Sequence, residues 1–202
     1  AVAAFVFSGA LSPRRGVRDL LRSLDPRWRP VRWTWWVIAM ALYPTVIALG
    51  NALSAPLELG EPASVAAGNW TLLALDALLT YLILLLGGGG PEEPGWRGFA
   101  LPTLQKRHSP LGASLLLAVI WGFWHWHVWQ AGPLNMLIYL VLVVAPLSVL
   151  FTAVFNRTRG SLLIAVLLHA SINLTPVFMP ESMLATSVWA LLMLGLAVWM
   201  WR

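Results

Sequence analysis

The chain has 202 residues, of which 59% are hydrophobic and only 10% are charged. Because soluble domains carry about 25% charged residues, this composition excludes an ordinary soluble protein and indicates a membrane protein. The chain contains no cysteine, which excludes disulfides, thiolate metal sites and a cysteine nucleophile. The formal net charge is +5, carried by 13 basic and 8 acidic residues.

Apolar segments follow one another along the chain. Several windows of about 18 to 20 residues lack any charge, which is long enough to span a bilayer. The six predicted spans are 34–53, 70–86, 111–129, 134–155, 160–178 and 183–201. A shorter apolar stretch at 1–12 predicts a partial N-terminal span. The segments are uniformly apolar and lack the alternation of membrane strands, so we expect an all-α polytopic transmembrane helical bundle.

The chain divides by composition into two regions. Residues 1–33 hold the partial span and a basic segment that begins at residue 13. Residues 34–202 form the predicted bundle, with the residues suited to chemistry concentrated at about 70–180.

The basic residues predict how the bundle lies in the membrane. If each predicted span crosses once, all thirteen basic residues fall on one side, and Glu58, Glu61 and Glu181 fall on the other. The positive-inside rule makes the basic side cytoplasmic. We therefore attribute the net positive charge to membrane orientation and to contact with anionic lipids, and we expect no nucleic-acid partner.

The first polar motif is PEEPGWRGF, which follows the four glycines 87–90. The glycines are expected to end the preceding helix, and Pro91 suits the first turn of the next one. Arg97 lies one helical turn after Glu93 and can pair with it. These charges could simply anchor a helix end at the interface. However, ionisable residues near the bilayer interior are functional candidates, and Glu92 and Glu93 are adjacent carboxylates.

Two further motifs place polar side chains inside predicted spans. Trp121 precedes His125 by one turn on the same helix face, whereas His127 is expected on the opposite face. His169 and Asn173 are spaced i,i+4 and project from one side of a helix. Each motif alone could be a helix–helix hydrogen bond. Together with the glutamates they form a set that could activate a water and stabilise an oxyanion.

Two other functional classes fit some of these features. A transporter or ion pathway would also place glutamates, histidines and Asp76 in spans interrupted by glycines. Two histidines and a glutamate could also bind zinc. The sequence contains no helix motif with two histidines four apart around a glutamate, so we expect a site without metal.

The three motifs, in this order, resemble those of the CPBP intramembrane proteases, also called the CAAX-protease and bacteriocin-processing (ABI) family. The matching residues are Glu92, Glu93 and Arg97 in the first motif, Trp121 and His125 in the second, and His169 and Asn173 in the third. The stretch EEPGWRGFALP resembles a bacterial branch, in which Gly95, Trp96, Gly98 and Pro102 recur. The chain departs from that branch after His125, where Trp126-His127 replaces the usual Leu-Pro.

This resemblance implies a glutamate-dependent endopeptidase in a bacterial cytoplasmic membrane, acting on a membrane protein or peptide. It implies that Glu92 is the general base and that His125 helps to hold the attacking water. It further implies that His169 and Asn173 stabilise the oxyanion, with Arg97 and Glu93 balancing charge. No cofactor is implied. A non-catalytic immunity or scaffold protein of the same family is the alternative.

Overall fold

The computed structural model describes residues 16–28, 30–57, 70–178 and 182–201, together with the isolated Val6 and Ala10. The predicted partial span at 1–12 and most of the predicted loop at 54–69 therefore lie outside the described residues. Within the described ranges the chain is helical and contains no strand. The predicted all-α fold is confirmed.

The described residues form nine helices, some of which change pitch along their length. In chain order they are α1 (Gly16–Ser23), α2 (Trp33–Ser54), α3 (Trp70–Gly87), α4 (residues 90–105), α5 (Pro110–Trp124), α6 (Trp126–Trp129), α7 (Pro133–Arg157), α8 (Leu162–Phe178) and α9 (Met183–Trp201).

Four helical stretches are long and apolar enough to cross a membrane, by length and composition. They are Trp33–Leu57, Thr71–Gln105, Pro133–Arg157 and Met183–Met200. The other two predicted spans are also helical, but α5 and α8 are shorter. The described residues thus contain four full-length candidates and two shorter apolar helices, where the sequence predicts six full spans.

The glycine run ends α3 and allows α4 to begin beside it. The chain bends at Gly88 and Gly89 and resumes a helical path at Gly90, with Pro91 in the first turn as predicted. A Cβ atom at Gly90 would lie 2.5 Å from the carbonyl oxygen of Leu85. The absence of a side chain at Gly90 therefore permits the close approach of the two helices.

Two helices contain a widened π turn, and each turn precedes a proline. In α4 the turn covers Trp96–Ala100 and is followed by Pro102. In α7 it covers Leu140–Val144 and is followed by Pro146. A proline inside a helix lacks an N–H group, and its ring clashes with the carbonyl four residues earlier. The wider turn relieves that clash, so both helices continue past the proline.

The predicted span at 111–129 is interrupted at His125, which corrects the sequence interpretation. In a regular helix the backbone N–H of His125 would donate to the carbonyl of Trp121. Here the side-chain Nδ1 of His125 lies 2.8 Å from that carbonyl oxygen, and the backbone N–H donates to Gly122 instead. The side chain thus competes with its own backbone, and α5 ends one residue earlier, at Trp124.

The core of the bundle is formed by α7 and α8. Every residue from 146 to 155 in α7 is buried, as expected for a helix surrounded by other helices. Helix α8 packs against α2, α3, α4 and α7. The hydroxyl of Ser148 in α7 donates to the carbonyl of Ser114 in α5, and Ser171 in α8 donates to that of Met40 in α2. The first bond joins α7 to α5, and the second joins α8, which carries the third motif, to α2.

Helix α3 has a broad apolar surface that the described residues leave uncovered. Leu72, Leu75, Leu79, Ile83 and Leu86 are all exposed. A contiguous apolar surface of this kind is rare on soluble monomers but is expected where a helix faces lipid.

Candidate active site

The second and third motifs meet at a cavity of about 420 Å³ inside the bundle. Trp121 and His125 line it from the end of α5, and His169 and Asn173 line it from α8. Most of the remaining wall is apolar or aromatic and includes Leu84, Leu147, Ile172, Tyr139 and Trp189. Concave sites with a few convergent polar groups on an apolar wall are the usual form of small-molecule binding sites.

The contact that ends α5 also fixes the tautomer of His125. Because the carbonyl oxygen of Trp121 can only accept a hydrogen bond, the Nδ1 atom of His125 must carry the proton. In the neutral ring this leaves Nε2 with a free lone pair. The ring is held between Trp121, at a centroid distance of 5.7 Å, and Tyr139, at 5.4 Å. His125 therefore presents a basic nitrogen from a fixed ring.

Glu93 connects the first motif to the third. Its Oε1 atom accepts a hydrogen bond from Nη1 of Arg97 at 2.9 Å, which confirms the predicted i,i+4 pair. The same oxygen lies 2.6 Å from Nδ1 of His169. An ionised carboxylate only accepts, so Nδ1 of His169 is the donor and Nε2 is the nitrogen left over. Glu93 and Arg97 are fully buried.

The buried guanidinium of Arg97 is enclosed by aromatic rings. Its Cζ atom lies 3.8 Å from the ring centroid of Phe151 and 4.5 Å from that of Trp121. The electron-rich ring faces attract the cation and partly replace the water that burial removes. No described residue accepts a hydrogen bond from its Nε or Nη2 atom. The rings and Glu93 together hold a permanent positive charge beside the cavity.

Glu92 has a different environment from Glu93. Its Oε2 accepts from the indole N–H of Trp96 at 2.9 Å, and its Oε1 accepts from that of Trp124 at 3.1 Å. The Glu92 side chain is not part of the cavity wall, but its partner Trp124 directly precedes His125, which lines the cavity. The structure therefore gathers His125, His169, Asn173 and Trp121 around one cavity and places Glu92 beside it.

Gly89 and Trp124 are two residues of this site that sequence reasoning missed. A Cβ atom at Gly89 would lie 2.1 Å from Cδ2 and Nε2 of His169 and 2.7 Å from Nδ2 of Asn173. The glycine run carries a signal for Gly89, because a glycine permits the close approach of another side chain as well as the end of a helix. Trp124 sits in an aromatic stretch, and no local pattern indicates that it reaches Glu92, 32 residues earlier in the chain.

Two secondary expectations about polar residues have different outcomes. His127 was expected to point away from His125, but the two ring centroids lie 5.7 Å apart. The helix-face argument fails because the helix breaks at His125. His127 is nevertheless exposed and does not line the cavity. Asp76 is exposed on α3 and is not part of the cavity wall.

The described residues contain no group of three or more histidine or acidic side chains arranged to hold a metal ion. The possible ligands are distributed instead as separate pairs. Glu93 pairs with His169, and Glu92 is bound by two indoles. The expectation of a site without metal remains a prediction.

Comparison with known proteins identifies the family. The model of the Rce1-like family, described as type II CAAX prenyl endopeptidase Rce1-like, matches residues 74–175, which include all three motifs. CAAX prenyl protease 2 from Methanococcus maripaludis is 30% identical over 147 residues, which are 68% of this chain and 54% of that protein. The chain thus spans about half the length of that curated relative. The chain belongs to the Rce1-like family of type II CAAX prenyl endopeptidases, and it is a membrane protein.

Proposed function

We propose that this chain is an endopeptidase that hydrolyses a peptide bond within the membrane, with a water activated by Glu92 and His125. One observation carries the proposal. Both cavity histidines use Nδ1 in a fixed contact, which leaves Nε2 for chemistry, and Glu92 is hydrogen-bonded to Trp124, the residue that directly precedes His125. This arrangement suits the positioning and polarisation of a small reactant.

Of the two adjacent glutamates, Glu92 is the better general base. The Oε1 atom of Glu93 already accepts from Arg97 and His169, and the residue is fully buried between them. Its Oε2 atom is buried without a partner among the described residues, so Glu93 serves as the counter-charge of the buried Arg97. Glu92 is half-buried, and its two indole contacts orient the carboxylate while leaving further lone pairs free.

The proposed reaction follows from these positions. A water donates a hydrogen bond to Nε2 of His125 and gives its other proton to Glu92 while its oxygen attacks the scissile carbonyl carbon. The carbonyl oxygen becomes an oxyanion, to which the Asn173 amide and protonated His169 donate hydrogen bonds. Glu93 stabilises the positive charge on His169. The intermediate then collapses, and the proton on Glu92 passes to the departing amine nitrogen.

The substrate we propose is a membrane protein or peptide. The family description and the name of the matched relative both refer to CAAX prenyl peptides, so a prenylated C-terminal peptide is the first substrate to test. The largely apolar cavity wall supports a substrate that reaches the site from the bilayer. We place the protein in a bacterial cytoplasmic membrane with its basic side inward, as the distribution of charge favours.

The decisive variant is Glu92→Gln, because the amide preserves shape and hydrogen bonding to one indole but cannot take the proton. The purified chain is incubated with a farnesylated CAAX-type peptide and with membrane peptides, and products are identified by mass spectrometry. We expect cleavage by the wild type and none by Glu92→Gln or His125→Ala. Asn173→Ala should retain activity reduced by roughly a hundredfold to a thousandfold. Full cleavage by Glu92→Gln would overturn the glutamate-base mechanism.

The same assay separates the alternatives. A zinc enzyme would lose activity with a chelator and regain it on addition of zinc, whereas we expect no effect of chelation. A transporter would cleave none of these peptides, and its glutamate variants would change solute flux in proteoliposomes. A scaffold protein would bind membrane partners equally well with Glu92 or Gln at position 92.

A further inference from the structure

A second cavity, of about 620 Å³, lies apart from the candidate active site. It is an open cleft lined by α1, by the end of α4, by the end of α7 and by the turn that joins α7 to α8. We propose that this cavity binds the anionic phosphodiester headgroup of a membrane phospholipid. This site is independent of the proposed peptidase activity.

The polar part of the lining is suited to a phosphate group. Lys106 and Arg159 supply two positive charges, and Asn156 and Gln105 supply amide donors. Asp19 is the one acidic residue among those lining the cavity, so the lining described here carries a net charge of +1. Phosphate oxygens are commonly bound by such combinations of cations and amides.

The backbone at Arg159 is unusual in a way that supports a binding role. Its φ angle is +57°. This value lies in the left-handed region, which residues other than glycine and asparagine rarely adopt. It is the only non-glycine residue with a positive φ among the residues that the structure describes. The adjacent Gly160, at +81°, shows that the turn can use glycine. Retaining an arginine at this strained position points to a use for its side chain.

Gln105 supplies a separate indication that a ligand is needed. Its Nε2 atom is buried and donates to no acceptor among the described residues. A buried donor without a partner is costly, and native proteins usually satisfy such groups. A rotation of the Gln105 side chain, which lines the cavity, would bring this donor to an anionic oxygen bound there.

The apolar part of the lining favours a lipid over a free phosphate. Leu20, Phe99, Phe155 and Leu162 all line the cavity, so that acyl or glycerol carbons would have apolar contacts there. Leu20 is the buried residue of α1, and it packs so closely on α4 that a Cβ at Gly98 would lie 2.4 Å from it. The cavity also lies at the end of the bundle where the basic residues concentrate, which the sequence predicts to face the anionic inner leaflet.

The test measures lipid binding to the full chain in a neutral detergent by native mass spectrometry. The probes are dioleoyl phosphatidylglycerol, dioleoyl phosphatidylcholine and inorganic phosphate. We expect one tightly retained phosphatidylglycerol, and we expect Lys106→Gln and Arg159→Gly each to weaken its binding about fivefold. Glycine adopts the φ of position 159 without strain, so Arg159→Gly should fold at least as well as the wild type.

Matched controls remove the same charge from the same end of the molecule. Arg107 and Arg157 are exposed neighbours that do not line the cavity, and Arg107→Gln and Arg157→Gln should leave binding unchanged. An equal loss in all four variants would show diffuse surface attraction and overturn the site. Equal retention of phosphatidylcholine, or competition by inorganic phosphate at the concentration of the lipid, would overturn the anionic lipid as the occupant.

Discussion

Replacement of Gly89 by alanine tests whether the close approach of α4 to the third motif is required for the reaction. The added Cβ would lie 2.1 Å from Cδ2 and Nε2 of His169, whereas ordinary contacts begin at 3.4 Å, so the ring must retreat by about 1.3 Å. The backbone at Gly89 is in the ordinary right-handed region, at φ −64°. The need for glycine at position 89 is therefore one of space and not of backbone conformation.

The His169 ring cannot easily make this retreat. It is held by Glu93 at 2.6 Å, and the rings of Trp121 and Phe151 lie at 5.5 Å and 5.6 Å. Overpacking of this kind costs about 1 to 3 kcal/mol. A displacement of about 1 Å in a reacting group can cost about a hundredfold in rate. We therefore expect Gly89→Ala to lower the melting temperature and to reduce peptide cleavage at least about a hundredfold.

Gly95→Ala is the matched control. Gly95 lies in α4, six residues after Gly89, and a Cβ there would meet no atom within 4 Å. Replacing a helical glycine by alanine stabilises a helix by up to about 1 kcal/mol, so Gly95→Ala should keep its activity and melt no lower than the wild type. Thermal unfolding and the peptide assay are measured on both variants. Full activity of Gly89→Ala, or an equal loss in both, would refute this account of Gly89.

Two further variants test the contacts around the glutamates. Trp124→Phe keeps an aromatic ring but removes the indole N–H that donates to Glu92. A hydrogen bond to a charged group is worth about 1.5 to 3 kcal/mol, so the kcat for peptide cleavage should fall at least about tenfold with KM unchanged. Trp129 is an exposed ring stacked on Phe123, so Trp129→Phe should leave kcat unchanged. Similar losses of kcat in both variants would contradict the role of Trp124. Arg97→Met leaves Glu93 buried without its cation, so stability should fall by about 3 to 5 kcal/mol. Adding Glu93→Gln to Arg97→Met should recover part of that loss in thermal unfolding, and an unchanged melting temperature in the single variant would refute the buried pair.

The sequence predicted those features that depend on composition and on spacing within one helix. Five of the predicted spans, at 34–53, 70–86, 134–155, 160–178 and 183–201, match α2, α3, α7, α8 and α9 to within two residues at either end. The pairing of Glu93 with Arg97 followed from the i,i+4 rule alone. These features could be predicted because hydrophobic length and helical periodicity are local properties of the chain.

The missed features depend on contacts between distant segments or on a side chain competing with the backbone. The bond from Trp124 to Glu92 and the bond from His169 to Glu93 join different helices. The break at His125 arises because one ring nitrogen occupies a carbonyl that the backbone would otherwise use. Neither effect leaves a periodic pattern, so the position of Glu92 beside the cavity could not be predicted from spacing.

The contact between His125 and the carbonyl of Trp121 couples the length of α5 to the chemistry of the residue that follows the helix. A neutral histidine in the middle of a regular helix can carry its proton on either ring nitrogen. In His125 the contact that ends the helix keeps the proton on Nδ1. Losing the imidazole would therefore do two things at once. It would remove the free nitrogen from the cavity, and it would return the Trp121 carbonyl to the backbone, which would allow α5 to continue towards Trp126–Trp129 and change the direction of the residues after the present break. Asparagine at position 125 can still donate to that carbonyl but offers no second ring nitrogen, so it separates the architectural role of this residue from its chemical one.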